Sequence, residues 1–552
     1  MNSRIKLLVL CLAFGCHFQA VAEVNLDRFI RAQDDIDKST RQENRVVKKD
    51  VYSSVENKAL TGSELPVEEN CITLNELVLE NDFLNDAGLK KIKSTIAGQC
   101  LGVKGIEVLS TNIQDHYINA GYVTTRVTIP DQDLSSKKLV LSVVPGRVER
   151  IIIANNDVRD WILPFKSGEI LNIRDLEQGL EVLQKVPGLD VKIGIEPASQ
   201  EGYSNIVIST GRKKNWNVRA WVNNWGDEAT GKRLAGGAGY LYNLAKMNDV
   251  FYVSASKNVE HVNGGYKSFS SYYSVPFGYW DYEAFYSNSE SRQAVGERSL
   301  GLKYIGKSEY FSLKGTRVLY RDQVRKIAAS AEVIKRNVDY HINEVELELQ
   351  KRNMTNLRFG LNYKQNFTGA LLDSTLSWQR FVPWFGANET ADMQTGDVSK
   401  ESHIFSLDVN YTKLLNVKMV DAYYDLKFNA QYSPGSLTLQ DQYFLGSRWN
   451  VRGFENSSGL YGNKGFYAQN NINFITGFKG VEWYVGMDYG QIWGDLTQSG
   501  NYNGKQLMGA ATGLKGNINT LGYDFSVSAP LIYPSAMDVD KLNVNFNVSY
   551  QL

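Results

Sequence analysis

The sequence is short of most things a catalytic or nucleic-acid-binding chain relies on. It has no net charge, with 60 Lys+Arg against 60 Asp+Glu in 552 residues. A nucleic-acid binder usually carries a basic excess, so no nucleic-acid partner is expected. Histidine is scarce. Beyond residue 22 only His116, His261, His341 and His403 remain, too dispersed for a metal motif. No G-x-S-x-G nucleophile elbow occurs. The nearest approach to a phosphate loop, residues 500–506, has the wrong spacing and no Ser or Thr after Lys505. No catalytic residue, no cofactor and no metal is therefore expected. Long apolar runs are also missing. After residue 22 none approaches the roughly 18–20 residues a membrane helix requires.

What the first 22 residues do contain is an export pattern. Arg4 and Lys6 precede the apolar run 7–15, and Ala20-Val21-Ala22 closes it, which reads as a signal peptide over 1–22. Ala13-Phe14-Gly15 before Cys16 is a poor lipobox, so no lipid anchor is expected. An exported chain without a membrane helix is either soluble or a transmembrane β-barrel, the other way to satisfy backbone groups in lipid.

Aromatic residues bear on that choice. Residues 1–212 hold 10 of the 64 Phe, Trp and Tyr, and residues 213–552 hold the other 54. Membrane barrels carry aromatic girdles at both interfaces. The second half also alternates with period two. Over 421–432, Ala422, Tyr424, Leu426, Phe428, Ala430 and Tyr432 share one face, and Asp425, Lys427, Asn429 and Gln431 the other. Residues 541–552 repeat the pattern, with Leu542, Val544, Phe546, Val548 and Tyr550 against Asn543, Asn545, Asn547 and Ser549. Apolar side chains outside and polar ones inside suit a water-filled lumen. A secreted β-sandwich or β-helix is the competing reading, and no short repeat period supports the latter.

The first half is mixed α/β. Residues 24–45 pair Asp27 with Arg31, Asp34 with Lys38 and Asp37 with Arg41, each acid before base at i,i+4. They form either a polar helix fit for a wet pore or a disordered leader. Residues 46–70 read as a linker. Two units follow with the order strand, helix, helix, strand, strand. In the first, strands are expected at 72–79, 123–129 and 139–144, and helices at 87–96 and 106–117, closed by Gly121. In the second, strands are expected at 148–153, 189–195 and 205–209. A short helix lies near Trp161, and a longer one is capped by Asn172.

Several motifs resemble one family in order along the chain. Residues 172–180 (NIRDLEQGL) are similar to its second-module helix, 274–280 (SVPFGYW) to an early barrel turn, and Ala529-Pro530-Leu531 to the end of a late strand. Most specific is Val451-Arg452-Gly453-Phe454, matched by Asp488 and Gly490 in residues 485–490 (VGMDYG). The chain resembles the outer-membrane transporters of two-partner secretion (the TpsB family), within the Omp85 superfamily. Two departures stand out. Gln469-Asn470-Asn471 replaces the Arg-Asn-Glu often found there, and Leu552 stands where many barrels end in Phe.

The resemblance implies a transmembrane antiparallel β-barrel of sixteen strands preceded by two α+β POTRA domains and an N-terminal plug helix. The expected plan is a signal peptide over 1–22, the plug helix over 23–45, a linker over 46–70, and POTRA domains over 71–146 and 147–212. The barrel would occupy 213–552, with loop 6 (about 447–465) folded into the lumen. Arg452 is expected to bond Asp488, which alternation over 481–489 points into the lumen, and Gly486 and Gly490 leave room for the loop. Cys71 and Cys100 form an even pair in a non-reducing compartment and are expected to make a disulfide, two separately buried thiols being the alternative. The family's function would be a protein-conducting channel in the bacterial outer membrane that passes an unfolded, large β-helical exoprotein (TpsA type: adhesin, haemolysin or contact-dependent growth-inhibition toxin) to the cell surface without ATP. That partner is expected to be encoded nearby, its POTRA contact to be a strand added to 189–195 or 205–209, and the channel to be a monomer in outer-membrane lipid. A barrel-assembly factor of the same superfamily, or a plain porin, is the alternative.

Overall fold

Alternation in the second half of the chain resolves, in a computed structural model, into a closed antiparallel barrel. The structure describes residues 37, 41, 50–52, 65–154, 158–187, 189–212, 214–260, 264–295, 302–417, 420–455, 459–494 and 505–552. The signal peptide lies outside the described residues, as does the plug-helix segment apart from Asp37 and Arg41. Among the described residues, sixteen long strands run from Trp216–Asn223 to Asn543–Gln551 and close in sequence order, last against first. The two-residue strand Val345–Glu346 extends one hairpin. Strands range from the 8 residues of Trp216–Asn223 to the 20 of Leu302–Arg321. Roughly 9–11 tilted residues cross a bilayer, so the longest strands project beyond it. Alternation assigns the faces as expected: Trp483, Val485 and Met487 are exposed on the outer wall, and Tyr484 and Asp488 are buried inside.

The closing seam is short. Asn543–Gln551 meets Trp216–Asn223 over 5 residue pairs, whereas Leu302–Arg321 and Arg325–Ile342 share 17. Asn224 extends the seam from the side. It donates Nδ2 to Val544 O at 2.7 Å, and its Oδ1 accepts from Phe546 N at 2.9 Å.

The first N-terminal module packs helices α1 (Ala87–Ile96) and α2 (Val103–Asn119) on a three-stranded sheet, with Lys138–Val144 between Glu76–Glu80 and Arg126–Thr128. Ile106, Leu109, Ile113 and Tyr117 line the buried face of α2 against Leu139, Leu141 and Val143. Asp86 caps α1 by accepting from Leu89 N at 2.9 Å. The residue capping α2 is Gly102, which has no side chain for the purpose. Glu68 reaches in instead, accepting from Gly105 N at 2.8 Å and Lys104 N at 3.2 Å, so an anion sits at the positive end of the helix. The strand expected over 123–129 shortens to Arg126–Thr128, because the chain turns there on a Thr125 N to Tyr122 O bond of 3.1 Å.

Cys71 and Cys100 are joined as a disulfide, with Cα atoms 5.3 Å apart, beside the short ladder Ile72–Thr73 and Cys100–Leu101. The closed loop of about 30 residues gives roughly 3–4 kcal/mol of stabilisation on the chain-entropy estimate. Cys71→Ser with Cys100→Ser should therefore lower the unfolding transition of the first module and leave the barrel's heat-resistant migration unchanged. An unshifted transition would show that the bond contributes nothing.

The second module has the sheet order Arg147–Ile153, Tyr203–Arg212, Leu189–Pro197. One α-helix, α3 (Ile173–Gln184), covers it, and Asn172 Oδ1 accepts from Arg174 N at 2.8 Å at its start. The helix expected near Trp161 is only the 3-10 turn Asp160–Ile162. Leu163 is extended at ψ 152°, as a residue before proline tends to be, and Pro164 ends the turn. Modules one and two meet at Gly121, whose φ of +102° ends α2 and whose carbonyl accepts from Ile173 N at 2.9 Å. A Cβ there would lie 2.4 Å from Asn172 Oδ1, so this close approach requires glycine.

Candidate functional site: loop 6 and the two ends of the lumen

The hairpin Tyr443–Leu445 with Leu460–Gly462 folds loop 6 back inside the barrel. Its anchor is apolar at the root: Leu445, Val451, Phe454 and Leu460 pack with the wall residues Ile492 and Leu507. From that base Arg452 reaches Asp488. Nε and Nη2 donate to the two carboxylate oxygens, each at 2.6 Å, and the Arg452 backbone N–H donates to Oδ2 at 3.1 Å. The side chains are 9% and 0% exposed. A planar guanidinium suits this two-pronged contact, which a lysine ammonium cannot copy. The face of Tyr484 adds a cation–π contact, with its ring centroid 5.7 Å from Cζ.

Glycines cut the seat for the loop. A Cβ on Gly486 would fall 2.4 Å from Arg452 Nη2, and one on Gly490 2.9 Å from a Leu445 methyl. Gly453, at φ +97°, lies against Ala529-Pro530, where a Cβ would come within 2.6 Å of backbone. Gly509 is the tightest of these, since its Cβ would stand 1.8 Å from the Arg452 carbonyl oxygen. Gly509 was missed from sequence. So was Glu455, which ties the loop to the final two strands. Its carboxylate accepts from Ser528 Oγ at 3.0 Å, Asn545 Nδ2 at 3.2 Å and Gly453 N at 3.0 Å. Asn543 Nδ2 then donates to Gly453 O at 2.9 Å. Gln469, at the departure from the family's Arg-Asn-Glu, still contacts the loop, donating to Arg448 O at 3.2 Å.

Loop 6 also spans the closing seam. On one side Trp449 meets Trp225 edge-to-face at 5.3 Å and Arg448 lies over the Trp225 ring at 5.1 Å. On the other, Glu455 holds Ser528 and Asn545. One loop thus bridges the shortest ladder between the sixteen long strands.

At the opposite end the second module closes on the barrel mouth. The turn after Gly265–Phe277 places Gly278, whose N–H donates to Ile162 O at 2.7 Å and whose carbonyl accepts from Gln178 Nε2 at 3.2 Å. Asn248 Nδ2 donates to Leu183 O at 2.9 Å at the C-terminal end of α3. Between helix and wall runs an ionic cluster. Arg321, 2% exposed, donates to Gln178 Oε1 at 2.7 Å, Glu181 Oε1 at 3.1 Å and the Val51 carbonyl at 2.5 Å. Lys326 bonds Glu181 at 3.0 Å and also Asp50, and Lys364 bonds Asp50 at 2.7 Å. Burial pushes the Asp50 carboxyl up, but Lys326 and Lys364 outweigh it and hold the group below the usual range. Asp50 and Val51, expected within a plain linker, therefore form the middle layer of this junction.

Above it, inside the lumen, Asp37 accepts from Tyr266 Oη at 2.6 Å and Ser289 Oγ at 2.8 Å, and Arg41 lies 4.7 Å over the Tyr310 ring. Among the described residues no group of three His, Cys, Asp or Glu is placed to hold a metal ion, and no helix is long and apolar enough to cross a membrane.

Comparison with known proteins agrees with this geometry. The profile of the haemolysin secretion/activation protein family ShlB/FhaC/HecB matches residues 202–516, and two POTRA profiles match 72–146 and 147–197. The outer membrane transporter CdiB-2 of Burkholderia pseudomallei (strain 1026b) is 29% identical over 464 residues, covering 82% of this chain and 79% of its own. The hemolysin transporter protein ShlB of Serratia marcescens is 26% identical over 488 residues, with 86% of each chain covered. In fold, CdiB from Escherichia coli superposes with a TM-score of 0.83 at 24% identity, over 98% of this chain and 100% of that one. The chain belongs to the ShlB/FhaC/HecB family of haemolysin secretion/activation proteins, two-partner secretion transporters set in the bacterial outer membrane with their POTRA domains in the periplasm.

Proposed function

We propose that this transporter captures an unfolded, large β-helical exoprotein encoded nearby by adding one of its strands to Leu189–Pro197, and passes it through the barrel as a monomer. No nucleotide and no chemistry on the cargo are required. The observation that carries this reading is the free edge of the second module. Tyr203–Arg212 is paired on both sides, so the stretch 205–209, an expected docking strand, has no backbone groups to offer. Arg147–Ile153 is covered where it starts: Glu169 O accepts from Val148 N at 2.9 Å, and Gly168 N donates to Val148 O at 2.7 Å. Leu189–Pro197 keeps one side open and follows directly on α3, which is bonded to the barrel mouth. An added strand gains main-chain bonds with little demand on sequence, which suits a long and varied cargo. Relatives named as hemolysin transporters support a haemolysin as that cargo.

Photo-crosslinkers at Asp190, Lys192 and Glu196 should trap the N-terminal region of the exoprotein during export. Crosslinkers in Arg147–Ile153 should not. Adducts absent from all three edge positions, in cells that secrete normally, would move capture elsewhere.

A further inference from the structure

We propose that the outer wall of the barrel holds one anionic glycerophospholipid of the periplasmic leaflet, an acyl chain lying over Gly315 and Ala331 and the phosphate on Arg317. Register puts Tyr282, Gly315, Ala331 and Phe359 in one outward row across four strands. Two aromatic rings thus stand either side of two positions with almost no side chain. The next row is Trp280, Arg317 and Ala329, again with a small residue beside large ones. With Leu313 and Leu319 at its ends the depression has a volume of about 670 Å³. A second outward row, Tyr550, Ala220, Gly237, Ala255 and Phe269, is likewise small between aromatics, but it carries no cation. In the depression beside Arg317 the hydrocarbon of the bilayer must fill the space, and a chain lying along the groove buries more surface than one passing a flat wall.

The headgroup end is set by Arg317. Its guanidinium lies 5.3 Å from the Trp280 ring centroid, and no described residue gives it a hydrogen bond or ion pair. A cation on the lipid-facing wall is costly near the midplane and tolerated at an interface. This one is at the interface, since the turn before Trp280 is the turn bonded to the second module through Gly278. That end is periplasmic, so the nearest anion is the phosphate of an inner-leaflet lipid, and a fork of N–H donors fits a phosphate well. Trp280 and Tyr282, stacked at 5.8 Å, form the aromatic edge that belongs at headgroup depth.

The test uses the full chain, stripped in detergent and re-exposed to phosphatidylglycerol or phosphatidylcholine, with bound lipid counted by native mass spectrometry. One phosphatidylglycerol per barrel is expected. Gly315→Leu and Ala331→Leu, which fill the groove from the outside, should each reduce retention about tenfold. Gly239→Leu, with nothing within 4 Å of its Cβ position, should not. Arg317→Gln should erase the preference for the anionic headgroup, and Arg317→Lys should restore part of it. Heat-resistant migration reports folding, and if Gly315→Leu does not fold, Ala331→Leu decides. Equal retention in the filled variants, no lipid on the native chain, lipopolysaccharide bound instead, or a dimer that Gly315→Leu dissociates would each overturn the proposal.

Discussion

Asp488→Ala should reduce export of the exoprotein at least tenfold while the barrel still reaches the outer membrane and migrates as a folded species. The substitution strands a guanidinium that is 9% exposed and loses all three bonds it and its own N–H make to the carboxylate. Breaking a buried pair from one side costs about 3–5 kcal/mol, where a wet pair would cost about 1 or less. The sixteen-strand ladder does not run through this contact, so assembly should survive. Arg452→Ala should match it, and the double variant should be no worse than either alone. Coupling of that kind, read in both secretion and thermal stability, is the signature of one interaction. Additive effects in both assays would show that the loop is held by something else. Arg452→Lys should rescue poorly, because an ammonium cannot meet both oxygens in one plane.

Gly509→Ala should be as damaging as losing the ion pair, by adding one methyl group. The new Cβ would coincide with the Arg452 carbonyl, 1.8 Å away, and a backbone oxygen cannot rotate aside as a side chain can. Either the wall strand Gln506–Ile518 moves or loop 6 leaves its seat, and the wall is paired on both sides. The loop should therefore yield. Overpacking of this kind costs about 1–3 kcal/mol before the lost Arg452–Asp488 bonds are counted. Single-channel recordings should show larger or more frequent openings, and export should fall. Gly239→Ala, into open space, is the control and should change neither. Native conductance in Gly509→Ala would mean that the wall gives way and that the loop's position is robust.

Why Asp488 was legible in the sequence and Gly509 was not follows from the kind of signal each leaves. Alternation of period two fixes the inward side of a strand from a single stretch, and Asp488 in an otherwise apolar-out run could face only the lumen. Gly486 and Gly490 flank it in the same stretch. Gly509 is one glycine among several in its strand, and only the arrival of a loop residue 57 positions earlier (509 − 452) gives it meaning. Helices were readable where a cap and an apolar stripe coincide, as at Asn172 for α3. Glu68 was read as linker because it caps a helix from 34 residues away from that helix's own Gly102 (102 − 68). The open edge of the second module was ambiguous for another reason. Alternation says which way a side chain points and not which neighbour a strand chooses, and here the last strand inserts between the other two. The ionic junction rests on pairs such as Lys326 with Asp50, which no local pattern announces.

That junction turns the stretch before residue 50 into a mooring line. Asp50 and Val51 are held between α3 and the barrel wall by Lys326, Lys364, Glu181 and Arg321. Asp37, bonded to Tyr266 and Ser289 inside the lumen, lies only 13 residues away (50 − 37). Thirteen residues of chain reach no further than about 45 Å even fully extended. If cargo displaces Asp37 and Arg41 from their contacts, the moored segment stays within reach at an effective concentration on the order of millimolar. Reclosure is then a first-order event, independent of how many transporters the membrane holds. On that condition each export cycle would reset itself, provided that the mooring at Arg321 and Lys326 holds while the lumen empties.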